Sequence, residues 1–166
     1  MTPATTAKHA KTDPQPDYAN ISQAAHAAGL QIYGALHPEM RPVKALSHGT
    51  LILLGCGAEF WPIFTRSPEY LEAGPDPVDH WSARVVGALA ATLGATAYFP
   101  FGGPPYVPFV DWALASGRAF TSPSQMMVHD EVGMLISYRG ALHFDETFTI
   151  PPPKYQHSPC KTCATR

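Results

Sequence analysis

The sequence predicts an α+β fold in which helices flank a mixed sheet. One observation is a capped, amphipathic segment over residues 76–93, and another is a set of short β-branched runs bounded by glycine and proline. A third is composition, since 166 residues with 45% hydrophobic and 14% charged side chains can bury a real core. The net charge of −2 provides no basic surface for nucleic acid, and no apolar run approaches the roughly 18 residues of a membrane span. Neither nucleic acid nor membrane is therefore an expected partner.

The first elements follow a polar tail. Residues 1–17 lack the apolar central region of a secretory signal and are predicted to be disordered. Asn20 as N-cap, with Gln23 at the capping-box position, predicts a helix over residues 20–28 that Gly29 ends. The runs 31–36 and 50–54 are almost continuously apolar, which indicates two strands of a buried sheet.

The longest predicted helix covers residues 76–93. Asp76 can cap it, Pro77 suits its first turn, and Gly94 can end it. Apolar residues recur along it at helical spacing, which predicts a stripe facing the core. The members of this stripe are Val78, Trp81, Val85, Leu89 and Leu93.

The second half of the chain is predicted to continue the sheet and end in a hairpin. A strand over 97–101, a proline-rich turn over 102–105 and a helix over 107–116 follow one another. Residues 125–129 and 134–138 then flank a turn at 130–133, which predicts an antiparallel C-terminal hairpin. The α+β body is expected to span residues 18–150, and the prolines after Ile150 predict a stiff linker within the segment 151–166.

The segment 151–166 contains a Cys-x-x-Cys motif formed by Cys160 and Cys163. Two such thiolates can bind one metal ion or one iron–sulfur cluster from a single turn, but zinc and iron–sulfur sites each need four ligands. We therefore expect a metal-binding motif that is truncated after its first two ligands. His157 could instead join both cysteines in a zinc site whose fourth ligand would be Cys56 or a histidine far upstream, although an exposed histidine is the simpler interpretation. Three cysteines without an export signal indicate a reducing compartment, the cytoplasm.

Two glycine-containing turns are candidate ligand sites. Gly102, Gly103 and Tyr106 lie between a predicted strand and helix, where ligands bind in many open sheets, and we expect them to meet His129 at a pocket. A purely structural turn, with His129 as a turn residue, is the alternative. The Gly-Cys-Gly turn around Cys56 lacks the third glycine of a dinucleotide site, which favours a tight turn with a small buried cysteine.

The order of motifs in the second half resembles a known group of redox proteins. Residues 113–120, 125–133 and 135–142, followed by the proline-rich linker and Cys-x-x-Cys, resemble epoxyqueuosine reductases, corrinoid-dependent reductive dehalogenases and related bacterial ferredoxins. The resemblance implies a nitroreductase-like body that holds a corrinoid, joined to a ferredoxin-type 4Fe-4S domain. The chain departs from the reductases at Gly103, where they have an acidic proton donor, and at Ser122-Pro123-Ser124, where they have Gly-Lys-Asn. Because of these departures, the resemblance does not imply that this protein acts on queuosine.

Three functional hypotheses follow. The first is electron transfer to a redox partner protein through a 4Fe-4S cluster with Cys160 and Cys163 as ligands. The second is a corrinoid- or flavin-dependent reductase that uses the pocket near Gly103 and His129. The third is a zinc-stabilised or metal-free interaction domain. No catalytic acid or base is identified by the sequence.

Overall fold

A computed structural model describes residues 17–162 and confirms the mixed α+β class. The helices are α1 (Tyr18–Ala27), α2 (Phe60–Phe64), α3 (Pro68–Leu71), α4 (Pro77–Leu93) and α5 (Phe109–Ala115). The strands are β1 (Leu30–Leu36), β2 (Thr50–Cys56), β3 (Thr96–Tyr98), β4 (Ala119–Thr121), β5 (Met127–His129) and β6 (Tyr138–Phe144). A short 3-10 helix, Pro159–Thr162, follows the proline-rich linker. Within residues 17–162, no helix is both long and apolar enough to cross a membrane.

The main sheet has four antiparallel strands in the order β1-β2-β6-β3. Alternate residues of the central strand β2 enter two different cores: Ile52 and Leu54 pack with α1 and α4, whereas Leu51 and Leu53 pack with α5. A strand covered on both faces needs apolar side chains in both directions, which explains its continuous apolarity. The predicted buried sheet is therefore confirmed, and β4 and β5 form a separate two-stranded ribbon.

Helix α4 matches its sequence signals closely. It ends at Gly94, whose φ of 70° is the left-handed conformation that glycine adopts without strain. Trp81 is fully buried, and its ring centroid lies 5.1 Å from that of Phe60. The other four members of the predicted stripe are partly buried against the same core. Asp76 occupies the N-cap position, but its carboxylate makes no capping hydrogen bond.

Helix α1 begins two residues earlier than predicted, and its N-cap is Asp17 rather than Asn20. The Asp17 Oδ1 atom accepts a hydrogen bond of 2.8 Å from the Asn20 backbone N–H. A carboxylate at this position also interacts favourably with the positive end of the helix dipole. Asn20 itself lies within the first helical turn and donates its side-chain N–H to the same carboxylate.

The predicted C-terminal hairpin is wrong. Strand β5 pairs with β4, and the segment after the turn at 130–133 forms only an isolated bridge between Gly133 and His129. Strand β6 instead enters the main sheet between β2 and β3, where its apolar residues are covered on both faces. Leu135, within the expected second strand, is 90% exposed and has no core to join. The apolar residues of β6 are buried more completely in the main sheet than they would be in the predicted hairpin, which explains why the turn at 130–133 does not determine the pairing of this strand.

The linker lies against the body. A small cavity of about 150 Å³ is bounded by Tyr18 and Arg118 on the body and by residues 151–154 of the linker. Gly117 allows this approach, because a Cβ atom there would lie only 3.0 Å from Pro153 Cγ. Its φ of 77° also favours glycine. The path of the linker therefore places the 3-10 helix against the body, beside the turn that joins β4 to β5.

Candidate functional site

The described half of the Cys-x-x-Cys motif lies on the 3-10 helix. Ser158 organises this turn: its hydroxyl accepts a hydrogen bond from the Cys160 N–H at 3.2 Å, and its carbonyl accepts one from the Lys161 N–H at 3.0 Å. Cys160 is partly buried and faces the ribbon turn that joins β4 to β5. Together they line a cavity of about 590 Å³, whose walls are Thr121, Ser122, Pro123, Gln125, Ser158, Cys160 and Lys161.

The rest of the proposed ligand set is not gathered in the described part of the chain. Cys163 lies outside residues 17–162, and His157 is exposed. Within residues 17–162, no three His, Cys, Asp or Glu side chains lie close enough together to hold a metal ion. The structure therefore describes one cysteine of the motif, and residues 17–162 do not assemble a complete metal site around it.

Cys56, predicted to be a small buried residue, lies at the end of β2 and is partly buried. Burial raises the pKa of its thiol, which keeps the sulfur protonated and unreactive at neutral pH. The predicted tight turn begins at Gly57, whose carbonyl accepts a hydrogen bond from the Phe60 N–H at 3.1 Å, whereas Gly55 lies within β2 and has a packing role. A Cβ atom on Gly55 would lie 2.0 Å from the Tyr33 ring, whose hydroxyl donates to the Cys56 carbonyl at 2.7 Å. Small residues here make room for that ring.

The four residues predicted to hold a cofactor lie in very different surroundings. A Cβ atom added to Gly102 or Gly103 would meet nothing within 4 Å, and Tyr106 is 74% exposed. His129 is fully buried, and its two ring nitrogens are engaged by backbone groups. Nδ1 accepts from the Glu131 N–H at 3.2 Å, so the ring proton is on Nε2, which donates to the Tyr33 carbonyl at 2.8 Å. Burial lowers the pKa of His129, and the ring is therefore neutral.

A buried ion cluster adjoins His129 and was not anticipated from the sequence. The Arg118 guanidinium lies 3.0 Å from Asp130 and 2.7 Å from Glu131, and it also donates to the Ile32 carbonyl at 3.2 Å. Asp130 is completely buried, whereas Glu131 is 40% exposed. Because His129 is neutral, its 3.2 Å contact with Asp130 is not an ion pair. The cluster joins the β4–β5 ribbon to β1 and has a structural role.

A groove lies between the start of α4, the start of α5 and the segment 136–139. Its volume is about 580 Å³. Two of its lining residues, Phe101 and Val107, flank the turn at 102–106, where the sequence predicts a pocket. The four residues predicted to form that pocket do not line the groove; they are Gly102, Gly103, Tyr106 and His129. The lining residues are Asp79, Pro100, Phe101, Val107, Pro108, Phe109, Val110, Asp111, Met127, Ile136, Ser137, Tyr138 and Arg139.

Two residues that line this groove each carry a buried polar atom without a partner. These are Tyr138 Oη and Arg139 Nε, neither of which has a hydrogen-bond partner in the described part of the chain. Arg139 is held through a different nitrogen, Nη1, which lies 3.3 Å from Asp79 Oδ1. Burial raises the pKa of Tyr138, so its hydroxyl stays protonated. Sequence analysis missed this groove because its walls come from segments that are far apart along the chain.

Comparisons with known proteins identify no relative. No protein-family model matches the chain, and no curated protein matches it significantly. The resemblance to the epoxyqueuosine reductase and ferredoxin group therefore remains a prediction from the motifs.

Proposed function

We propose that this chain is an iron–sulfur redox protein in which Cys160 and Cys163 are ligands of a 4Fe-4S cluster. The observation that carries the proposal is the position of Cys160, which is held against the body beside a cavity of about 590 Å³. Thiolates are the ligands that iron–sulfur clusters use, and a two-residue spacing lets one turn supply two of them. When bound, the cluster would supply one-electron transfer to a redox partner protein, within a reducing compartment such as the cytoplasm.

The body would position the cluster and influence its reduction potential. Pro153 packs closely on Gly117, and the ordered turn around Ser158 fixes the direction of Cys160. Lys161 lines the same cavity, and net charge near a cluster is one of the factors that set its potential. A cation beside the cluster would favour the more negative, reduced state.

The number of cysteine ligands in the motif limits how many clusters the chain can bind. A 4Fe-4S cluster uses four protein ligands, whereas the motif supplies two, and residues 17–162 gather no further set around Cys160. Two copies of the chain could together supply four thiolates. We therefore expect at most one cluster per two chains, or about two iron atoms per chain, when the chain is reconstituted alone.

Within the α+β class, we propose that the body has a nitroreductase-like fold. The antiparallel sheet with helices on both faces supports it. The residues expected to hold a corrinoid or flavin do not fit that role, since Gly102, Gly103 and Tyr106 face open solvent and the nitrogens of His129 are already engaged.

Anaerobic reconstitution with iron and sulfide tests the proposed function. The parent chain should develop broad charge-transfer absorbance, and the Cys160→Ser/Cys163→Ser double variant should not. Cys56→Ser is the matched control and should behave like the parent. Equal absorbance in the parent and the double variant would contradict the proposal, as would a colourless parent that binds stoichiometric zinc but no iron.

A further inference from the structure

Exposed apolar side chains surround the groove beside α5. Val110 lines the groove and is 59% exposed, and Leu114 is exposed one turn later on the same side of the helix. Tyr106 and Leu135 are also exposed, and each is next in the sequence to a residue that lines the groove. We call these four residues, together with the apolar walls of the groove, the α5 face. Exposed apolar side chains that cluster in this way mark interaction surfaces.

Helix α5 is apolar both on its buried side and outside it. Phe109 and Trp112 are buried and pack with the sheet. Val110 and Leu114 lie outside that buried side, where a surface helix ordinarily carries polar residues. Asp111 is the one charged residue among the seven of this helix. Because a helix that is apolar nearly all round is typical of one that is covered, the outer side of α5 has the composition of an interface.

The charged side chains of the α5 face are paired with one another. Asp79 lies 3.3 Å from Arg139, and Asp111 lies 3.6 Å from Lys44. The two acidic and two basic groups leave the face without net charge. Two copies of the α5 face can therefore approach each other without electrostatic repulsion, although the whole chain has a net charge of −2.

A second exposed apolar patch lies on α2 and α3, and its charges disfavour contact with a second copy. Its members are Trp61, Tyr70 and Leu71. Glu59, Arg66, Glu72 and Asp76 surround it in the sequence, are exposed, and belong to no ion pair within residues 17–162. This patch is therefore net negative and would repel its own copy. A two-fold interface brings the same surface of two copies together, so the α5 face is the self-complementary one of the two.

We propose that the α5 face is a two-fold interface at which a second copy of this chain binds. Pairing there covers the outer side of α5 and the groove without burying net charge. The interface adjoins the cysteine motif, because Met127 of the β4–β5 ribbon lines the groove and Gln125 lines the cavity beside Cys160. A dimer would contain four motif cysteines, the number of ligands that a 4Fe-4S cluster uses. Only this last consequence rests on the proposed function, since the interface itself uses neither cysteine.

Sedimentation velocity of the full chain tests the proposal under reducing, metal-free conditions, in which neither a disulfide nor a cluster can join two chains. The parent should be a dimer at about 100 μM. Val110→Glu and Leu114→Glu each place two like charges in the interface, so each should raise the Kd of the dimer by about tenfold or more. Circular dichroism should show that both variants keep the parent fold, because both positions are exposed.

The matched control is Leu71→Glu, which adds the same charge at a position 70% exposed on the other apolar patch. It should leave the Kd of the dimer unchanged. A parent that stays monomeric at about 100 μM would overturn the proposal. A Kd that neither α5 variant changes, or that Leu71→Glu raises as much as they do, would overturn it as well. Because no metal is present, failure here is distinct from failure of the iron–sulfur proposal, which reconstitution tests separately.

Discussion

Replacing Asp130 by Asn should destabilise the protein strongly, because it leaves the Arg118 guanidinium without its buried counter-ion. The Asp130 side chain is 0% exposed and that of Arg118 is 16% exposed, so little water can compensate. Breaking a buried pair from one side costs about 3–5 kcal/mol. Glu131 remains 2.7 Å from Arg118, which places the expected cost near the lower limit, at about 3 kcal/mol. For a chain of this size, that corresponds to a fall in Tm of about 9 °C.

The matched control is Glu131→Gln, which removes the more exposed partner of the same arginine. Exposed ion pairs contribute at most about 1 kcal/mol, so this variant should unfold close to the parent. Urea unfolding followed by circular dichroism measures both free energies of unfolding. Equal effects in the two variants, or a loss below about 1 kcal/mol for Asp130→Asn, would refute the assignment of a buried structural ion pair.

The remaining predictions concern stability and its pH dependence. Trp81→Ala should lower the free energy of unfolding by about 3–5 kcal/mol, because the ring is fully buried. Changing both Cys160 and Cys163 to Ser should leave the thermal midpoint of the metal-free chain nearly unchanged, and unfolding of that variant would show that the motif is structural. Bidentate hydrogen bonds from Arg84 lower the pKa of Glu69 from 4.5 to about 2. The resulting stabilisation is complete above pH 4.5 and is lost as the pH falls toward 2. Glu69→Gln should therefore reduce the slope of the free energy of unfolding against pH between pH 4.5 and 2. An unchanged slope would contradict this linkage between Glu69 ionisation and stability.

Local sequence signals were sufficient for the elements whose boundaries are set locally. Gly94 ends α4 because a left-handed residue is needed there, and the apolar run of β2 indicates a strand buried on both faces. These features depend on neighbours along the chain or on burial alone. The α+β class and the main helix follow from them.

The features that the sequence did not predict depend on distant contacts. Strand β6 pairs with β2, more than 80 residues earlier, and no local pattern distinguishes that partner from the expected hairpin. Arg118 and Asp130 resemble ordinary surface charges in the sequence, yet folding buries them together. The donors of Tyr138 and Arg139 become notable only when the fold leaves them without partners.

Native mass spectrometry of the anaerobically reconstituted chain tests the cluster assignment, because it counts polypeptides, iron and sulfide in one species. We predict at most one 4Fe-4S cluster for every two chains, and no cluster-bound species when Cys160 and Cys163 are both replaced by Ser. A single chain that carries a complete cluster, or a cluster-bound species that persists in the double variant, would contradict the assignment of Cys160 and Cys163 as two of the four cluster ligands.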